Sequence, residues 1–553
     1  MENKFIFRLL SLLLALVLLT GALFGCFSVP GANGTSASTN VGGLSTTKPT
    51  VTTADITGTT KPPVSTSTTT KPTTSTTTSG EGGNVPDGEH IDSNDDGWCD
   101  VDGCGIYVIE TIDFYNFNDL HGKFENMDDN EGVDELTTYL ENRKNIDDHV
   151  VILSTGDMWQ GGTASNGTHG RIVTDWMNYL GFEAMALGNH EFDWGQDAIR
   201  ENVEMAEFPI LAINIYDNAT GKRVDYCQPS VMIERGGAQI GIIGAIGDCY
   251  SSISSDKTNG INFKVGSALT SLVKEESVRL REAGADAIIY LIHDGTTYSS
   301  LNISDYYDIS LSSGGYVDLV FGGHTHSYYI IKEDAYGVPH LQGGGDNTKG
   351  ITHVELNVNF ANGNTKLNVA DYVDINSVKN LEDAPIVQEL LDKYWDEIGW
   401  MYGTLGYNAS NRNSTTIANT VAKLYYEAGV ERWGDRYNIV LAGGSLNVRS
   451  PYYIYKGDVQ YGDLQTVLPF DNAIYLCRIK GTYLKSRFLN NSDYAKYSTI
   501  TASQVKDNEY YYIVADSWTA LYYWAQCEAV EIYDETTYAR DLLAKYIQNG
   551  GWD

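Results

Sequence analysis

The stretch AMALGNHEFD, residues 184–193, decides how the rest of the chain is read. Its apolar start reads as a short buried strand, and a glycine, an amide, an imidazole and two carboxylates crowd in directly behind it. An ordinary surface turn and a metal-assisted site both fit such a cluster. The other strand ends decide between them.

From about residue 106 onward, short β-branched runs alternate with amphipathic segments such as VDELTTYLENRK (133–144) and ALTSLVKEESVRLREAG (268–284), which predicts an α/β core. YVIETIDFYNF leads into NDLHG, with Asp119 and His121, and HVVILS leads into TGD, with Asp157. AMAL brings Asn189, His190 and Asp193, ADAIIYLI runs into His293, and VDLVF precedes GGHTH, with His324 and His326. In open α/β sheets, ligands gather beyond the carboxyl ends of the strands. The chain has ten histidines, and five of them fall at four such ends. His90, His149, His169, His340 and His353 are read as ordinary surface or core residues.

Mixed Asp, Asn and His donors suit Zn²⁺, Mn²⁺ or Fe²⁺. Two such ions roughly 3.5–4 Å apart can clamp a phosphoryl group and activate a water. This arrangement calls for one shared carboxylate, which is Asp157. Asp119, His121 and His326 complete one side, and Asn189, His293 and His324 the other. Neighbouring glycines let the backbone turn sharply beside the ions.

NDLHG, GD, GNHEFD, H and GHTH, in this order, resemble the calcineurin-like metallophosphoesterases, and within them the secreted bacterial 5′-nucleotidases and 2′,3′-cyclic nucleotide phosphodiesterases. The resemblance runs from about residue 110 to the end. It implies a four-layer α/β/β/α sandwich followed by a second α/β domain that binds substrate. It also implies that His190 faces the phosphate instead of a metal, assists the leaving oxygen, and is oriented by Asp193, while Glu191 serves structure.

LEDAPIVQELLDKYWDEIG (381–399) reads as the helix entering that second domain, giving a catalytic domain over 106–380 and a substrate domain over 381–553. There LAGGSLNVRS carries Arg449, similar to the family's phosphate-binding arginine. YGDLQTVLPFDN and YYIVADSWTA carry Phe470 and Trp518, at positions where the family stacks a base between two aromatics. The family's GGDGY is absent after Trp518, and its NLGN segment is blurred into NRNSTTIAN, where Arg412 is the remaining second phosphate contact. The resemblance implies a nucleotide substrate. Nucleotide sugars or other phosphoesters are the alternative, and a non-catalytic nucleotide-binding lipoprotein is a third reading, opposed by the completeness of the ligand set.

The N-terminus is read separately. Lys4 and Arg8 precede a long apolar run ending in LFGC, the layout of a lipoprotein signal over residues 1–26 with Cys26 as the lipidated residue. Residues 27–86 are Ser-, Thr-, Gly- and Pro-rich and read as a disordered tether. Both imply a place outside the cytoplasm of a Gram-positive-type cell, as an anchored lipoprotein or, if the leader is cleaved conventionally, a secreted protein, with membrane contact only through an anchor. A formal net charge of −35 excludes nucleic acid or an anionic membrane bound through a basic face.

Between tether and domain lies a small acidic motif, residues 87–105, containing HIDSNDDGWCDVDGCG. Asp92, Asn94, Asp96 and Asp100 follow the spacing of the first half of a calcium loop, without its closing glutamate. His90, Cys99 and Cys104 offer softer donors to zinc, and the two cysteines a local disulfide. Cys227, Cys249, Cys477 and Cys527 read as small buried residues.

Overall fold

The computed structural model describes residues 90–125, 132–295, 307–345, 350–444, 448, 453–492, 494–523 and 526–552. The expected leader, Cys26, the tether and Arg449 lie outside these residues. The chain divides into Met1–Thr59 and Thr60–Asp553, and every described residue belongs to the second unit.

Alternation along strand β1 (Ile109–Phe117) sets up two cores from one strand. Ile112 and Phe114 enter one apolar cluster, and Tyr115 and Phe117 enter another. The strands β2 (Val150–Ser154), β3 (Ala184–Ala186) and β4 (Ile210–Leu211) continue from β1 in parallel. A second sheet is built on β5 (Ser230–Arg235), β6 (Ala238–Ile246), β7 (Ala287–His293), β8 (Leu319–Phe321), β9 (Tyr329–Ile331) and β10 (His340–Gln342). There β6, β7, β8 and β10 run parallel, with β5 and β9 antiparallel at the edges. The chain then returns to the first sheet through β11 (Ile351–Asn359) and β12 (Asn364–Val373), with β11 antiparallel beside β1.

The inner faces of the two sheets meet in a fully apolar layer that includes Phe114, Leu153, Ile242, Leu291 and Phe321. Helices α1 (Asp134–Lys144), α2 (Thr163–Gly167), α3 (Arg171–Leu180) and α4 (Gln196–Met205) contribute to the cluster outside the first sheet. Helix α5 (Ser267–Glu282) covers the second sheet through Leu269, Val273 and Leu280. The result is the α/β/β/α order that the resemblance implies.

Helix α6 (Pro385–Ile398), expected as the entrance to the second domain, packs Val387, Leu390, Tyr394 and Ile398 into the core of the first. Tyr394 also donates to Asp175 of α3 at 2.7 Å. The second domain is a five-stranded sheet of β13 (Ile439–Gly444), β14 (Ile474–Lys480), β15 (Ala495–Ser498), β16 (Tyr510–Asp516) and β17 (Cys527–Ile532), in the order β15-β13-β16-β14-β17. Helices α7 (Ser414–Trp433), α8 (Tyr461–Val467) and α9 (Ala539–Gln548) share one of its two apolar clusters. No helix among the described residues is long and apolar enough to cross a membrane.

Candidate active site

Every candidate metal ligand sits at or just past the carboxyl end of a strand. Asp119 and His121 follow β1, Asp157 follows β2, Asn189 follows β3, His293 closes β7, and His324 and His326 follow β8. Seven non-glycine residues among those described have left-handed backbone, and five of them are Asp119, His121, Asp157, His324 and His326. That conformation is costly for residues with a Cβ, so it persists where the surrounding fold imposes it, typically at functional sites. Two glycines make the close approach possible. Gly156 has φ +89°, and a Cβ at Gly188 would overlap the Asp157 carboxylate.

The side chains converge. His293 Nε2 lies 3.0 Å from Asp157 Oδ2, and His121 Nε2 lies 4.0 Å from the same oxygen. His121 Nε2 and His326 Nε2 are 3.0 Å apart, and His326 is 3.5 Å from Asp119 Oδ1. Asn189 Oδ1 stands 2.9 Å from His324 Nδ1 and 3.2 Å from His293 Nε2. Two nitrogens bound to one ion at about 2.0–2.1 Å, at right-angled to tetrahedral angles, lie about 2.9–3.4 Å apart, so the His121–His326 spacing fits a shared cation. The carbonyl groups of Gln160 and Thr155 stand at Nδ1 of His121 and His293, at 3.0 and 2.6 Å, and fix those rings with Nε2 inward. Asp119–His121–His326 and Asp119–Asp157–His293 are each close enough to hold an ion together.

The electrostatics also call for positive charge. Burial opposes protonation of His293, yet the Asp157 carboxylate overrides it and pushes the imidazole up to about 10. Burial raises the Asp119 carboxyl, with His326 and His293 pulling against it. For His324, burial and the neighbouring His293 push the imidazole down to about 3, which suits a neutral metal ligand.

His190 stands apart from the ligand set. Its Nδ1 is 2.8 Å from Asp193 Oδ2, and its backbone N–H donates to Asp157 Oδ1 at 2.8 Å. Both side chains are about one-fifth exposed, as a group that meets substrate should be. Glu191 is fully buried and ties two strand ends together. One of its oxygens accepts from Asp157 N at 2.8 Å and Gly188 N at 2.7 Å, and the other accepts from Met158 N at 2.8 Å. An amide at this position would turn a nitrogen toward backbone N–H groups. Glu191→Gln is therefore expected to weaken metal binding by about 10–100-fold, measured by titrating metal into the stripped protein. Unchanged affinity would remove Glu191 from this role.

The second domain reaches the same place. The Phe470 ring stacks beside His190, with centroids 6.0 Å apart and planes 28° apart. Half-buried Trp518 opens a wide helical turn after β16. Ser517, just before it, donates to the Ala473 carbonyl at 2.8 Å and to Asn472 Oδ1 at 3.4 Å. The turn of Trp518 thus begins beside the loop that carries Phe470. Arg412 donates to Asn408 Oδ1 at 3.0 Å and lies over the Trp552 ring.

Three contributors were not read from the sequence. Asn118 takes the Gly343 N–H on its oxygen at 2.8 Å and donates to Asp119 Oδ2 at 2.7 Å, steadying that ligand. Its place inside NDLHG was the available signal. Arg540 on α9 is buried, pairs with Asp471, and donates to the carbonyls of Leu468 and Phe470 at 3.4 and 3.3 Å, so it fixes the Phe470 loop. A lone arginine far along the chain gives no such hint. Cys249, read as a small buried residue, is buried but donates to the His293 carbonyl at 3.0 Å.

Residues 112–328 match the family described as calcineurin-like phosphoesterase, and residues 402–518 match the 5′-nucleotidase C-terminal domain. An apyrase of Tabanus yao is 26% identical over 423 residues, covering 68% of this chain and 72% of that protein. Protein UshA of Yersinia enterocolitica is 26% identical over 449 residues, covering 72% and 78%. The 5′-nucleotidase of Rattus norvegicus is 27% identical over 424 residues, covering 67% and 70%. The crystal structure of a 5′-nucleotidase precursor from Thermus thermophilus shares the fold, with a TM-score of 0.61 at 18% identity over 79% of this chain and 97% of that one. Fold, donor cluster and these likenesses define a metal-dependent phosphoester hydrolase. More narrowly, the chain belongs to the calcineurin-like metallophosphoesterases that carry a 5′-nucleotidase C-terminal domain.

Proposed function

We propose that the protein removes phosphate from nucleotides, with nucleoside 5′-monophosphates as the principal substrates and 2′,3′-cyclic nucleotides as a further class. The carrying observation is Phe470, an aromatic ring of the second domain held beside His190 at the reacting edge. The name 5′-nucleotidase, carried by the Rattus norvegicus relative, supports the same substrate class.

In this reading Asp157 is shared between two divalent ions, with Asp119, His121 and His326 on one and Asn189, His293 and His324 on the other. Zinc, manganese and iron suit these donors. Bound there, the ions neutralise phosphoryl charge and activate the attacking water. His190 does the protein's own chemistry. Asp193 at Nδ1 fixes the tautomer and the ring plane, so Nε2 is the nitrogen that meets the phosphoryl oxygen and hands a proton to the departing one. Phe470 and Trp518 stack the base, and Arg449 and Arg412 contact phosphate. The sequence of residues 1–26 supports work outside the cytoplasm on a lipid anchor at Cys26.

Phe470→Ala or Trp518→Ala tests the clamp. Each is expected to lower kcat/KM for a nucleotide by an amount equivalent to roughly 1–3 kcal/mol while sparing a small aryl phosphate, which has no base to stack. Equal losses on both substrates would make the two rings structural only.

A further inference from the structure

The segment ahead of the first domain carries a second cluster of metal-type donors, unconnected with phosphoester chemistry. His90 Nδ1 and Cys104 Sγ are 3.4 Å apart, and these atoms and Cys99 Sγ all lie within 4.8 Å of one another. Tetrahedral zinc holds sulfur at about 2.3 Å and nitrogen at about 2.0–2.1 Å, which puts the two about 3.5 Å apart. The observed spacing matches. The backbone is shaped to present these atoms. Cys104 N–H donates to the Val101 carbonyl at 2.9 Å, Cys99 N–H donates to the Ile106 carbonyl at 2.9 Å, and Gly103 and Gly105 have φ +80° and +62°.

The acidic residues of the same segment do something else. Asp92 is buried and accepts from Gly97 N at 2.9 Å and from Asn359 Nδ2 at 2.8 Å, so its oxygens close the loop and fasten it to the end of β11. Asp100 Oδ2 accepts from Ser93 N at 2.7 Å. The hard oxygens shape the loop, and the soft donors are the ones gathered together.

We propose that His90, Cys99 and Cys104 bind a structural zinc ion that closes this segment on itself. Two thiolates and an imidazole select a borderline-soft ion over calcium. Half-buried His90 and Cys99 leave the fourth position open to solvent, unlike the closed four-donor sites usual for structural zinc. Binding releases one proton from each thiol to solvent, so the ion's two positive charges are balanced. No atom of this cluster belongs to the active site, so the clasp stabilises without taking part in turnover.

The test is metal stoichiometry in the full chain. The Cys99→Ser/Cys104→Ser variant should carry one zinc fewer per chain than the wild type, unfold at lower temperature, and keep its kcat and KM. Cobalt substitution of the wild type should give thiolate-to-cobalt charge-transfer absorption, a readout that stands even if the variant folds poorly. An unchanged zinc count in a folded variant would overturn the proposal. So would a Cys99–Cys104 disulfide found by peptide mass in the wild type, or calcium bound to the segment with both thiols freely reactive.

Discussion

Replacing Asp157 with alanine is expected to abolish turnover and lower the metal content together. The carboxylate lies 3.0 Å from His293 and 4.0 Å from His121, within reach of donors assigned to both proposed ions, so its loss should weaken both at once. It also accepts from the His190 N–H at 2.8 Å, which couples the ligand cluster to the turn carrying the proposed acid. The rate loss should exceed the roughly 10²–10³-fold that removal of a single transition-state hydrogen-bond donor costs. Asp157→Asn keeps an oxygen for His190 N–H and removes the charge. If charge sharing is the main role, it should fall nearly as far. Metal analysis and kcat on the same preparations check this, and a variant retaining both ions and a near-normal rate would sink the assignment.

His190→Ala should separate rate from metal binding. Its imidazole is held by Asp193 and is not needed to complete either ligand group, so metal content should stay intact while kcat falls by about 10²–10⁴. Asp193→Asn should give a smaller loss in the same direction, because the ring remains but its tautomer is no longer fixed. A His190 variant that lost a metal would show the side chain to be a ligand after all.

The convergence of the candidate ligands was legible because each stands at or just after an apolar run that reads as a strand, and parallel strands of one sheet deliver their carboxyl ends to one edge. NDLHG, TGD and GNHEFD end strands of one sheet and HDG and GGHTH end strands of the other, so their meeting also needed the two sheets to pack face to face. What binds the edge together was less visible. Glu191 could be read as structural, yet its grip on the N–H groups of both Asp157 and Gly188 depends on two turns distant in sequence. All seven described non-glycine residues with left-handed backbone are Asp or His, types that tolerate positive φ, yet other Asp and His residues of the chain do not adopt it, so residue type alone did not mark these positions. Arg540 reaches the Phe470 loop across the second domain, a contact that no local pattern encodes. Helix α6 was legible as a helix, but its apolar face gave no sign of which domain it would bury against.

The central claim is that a metal-loaded edge on the first domain hydrolyses nucleotides presented by the second. The most direct test is phosphate release from a nucleoside 5′-monophosphate, followed on purified protein before chelation, after chelation, and after return of zinc or manganese. Equimolar phosphate and nucleoside should appear, stop on chelation, and resume when the metal is restored. Binding of the nucleotide with no phosphate released under any metal would contradict the account and leave a nucleotide-binding protein in its place.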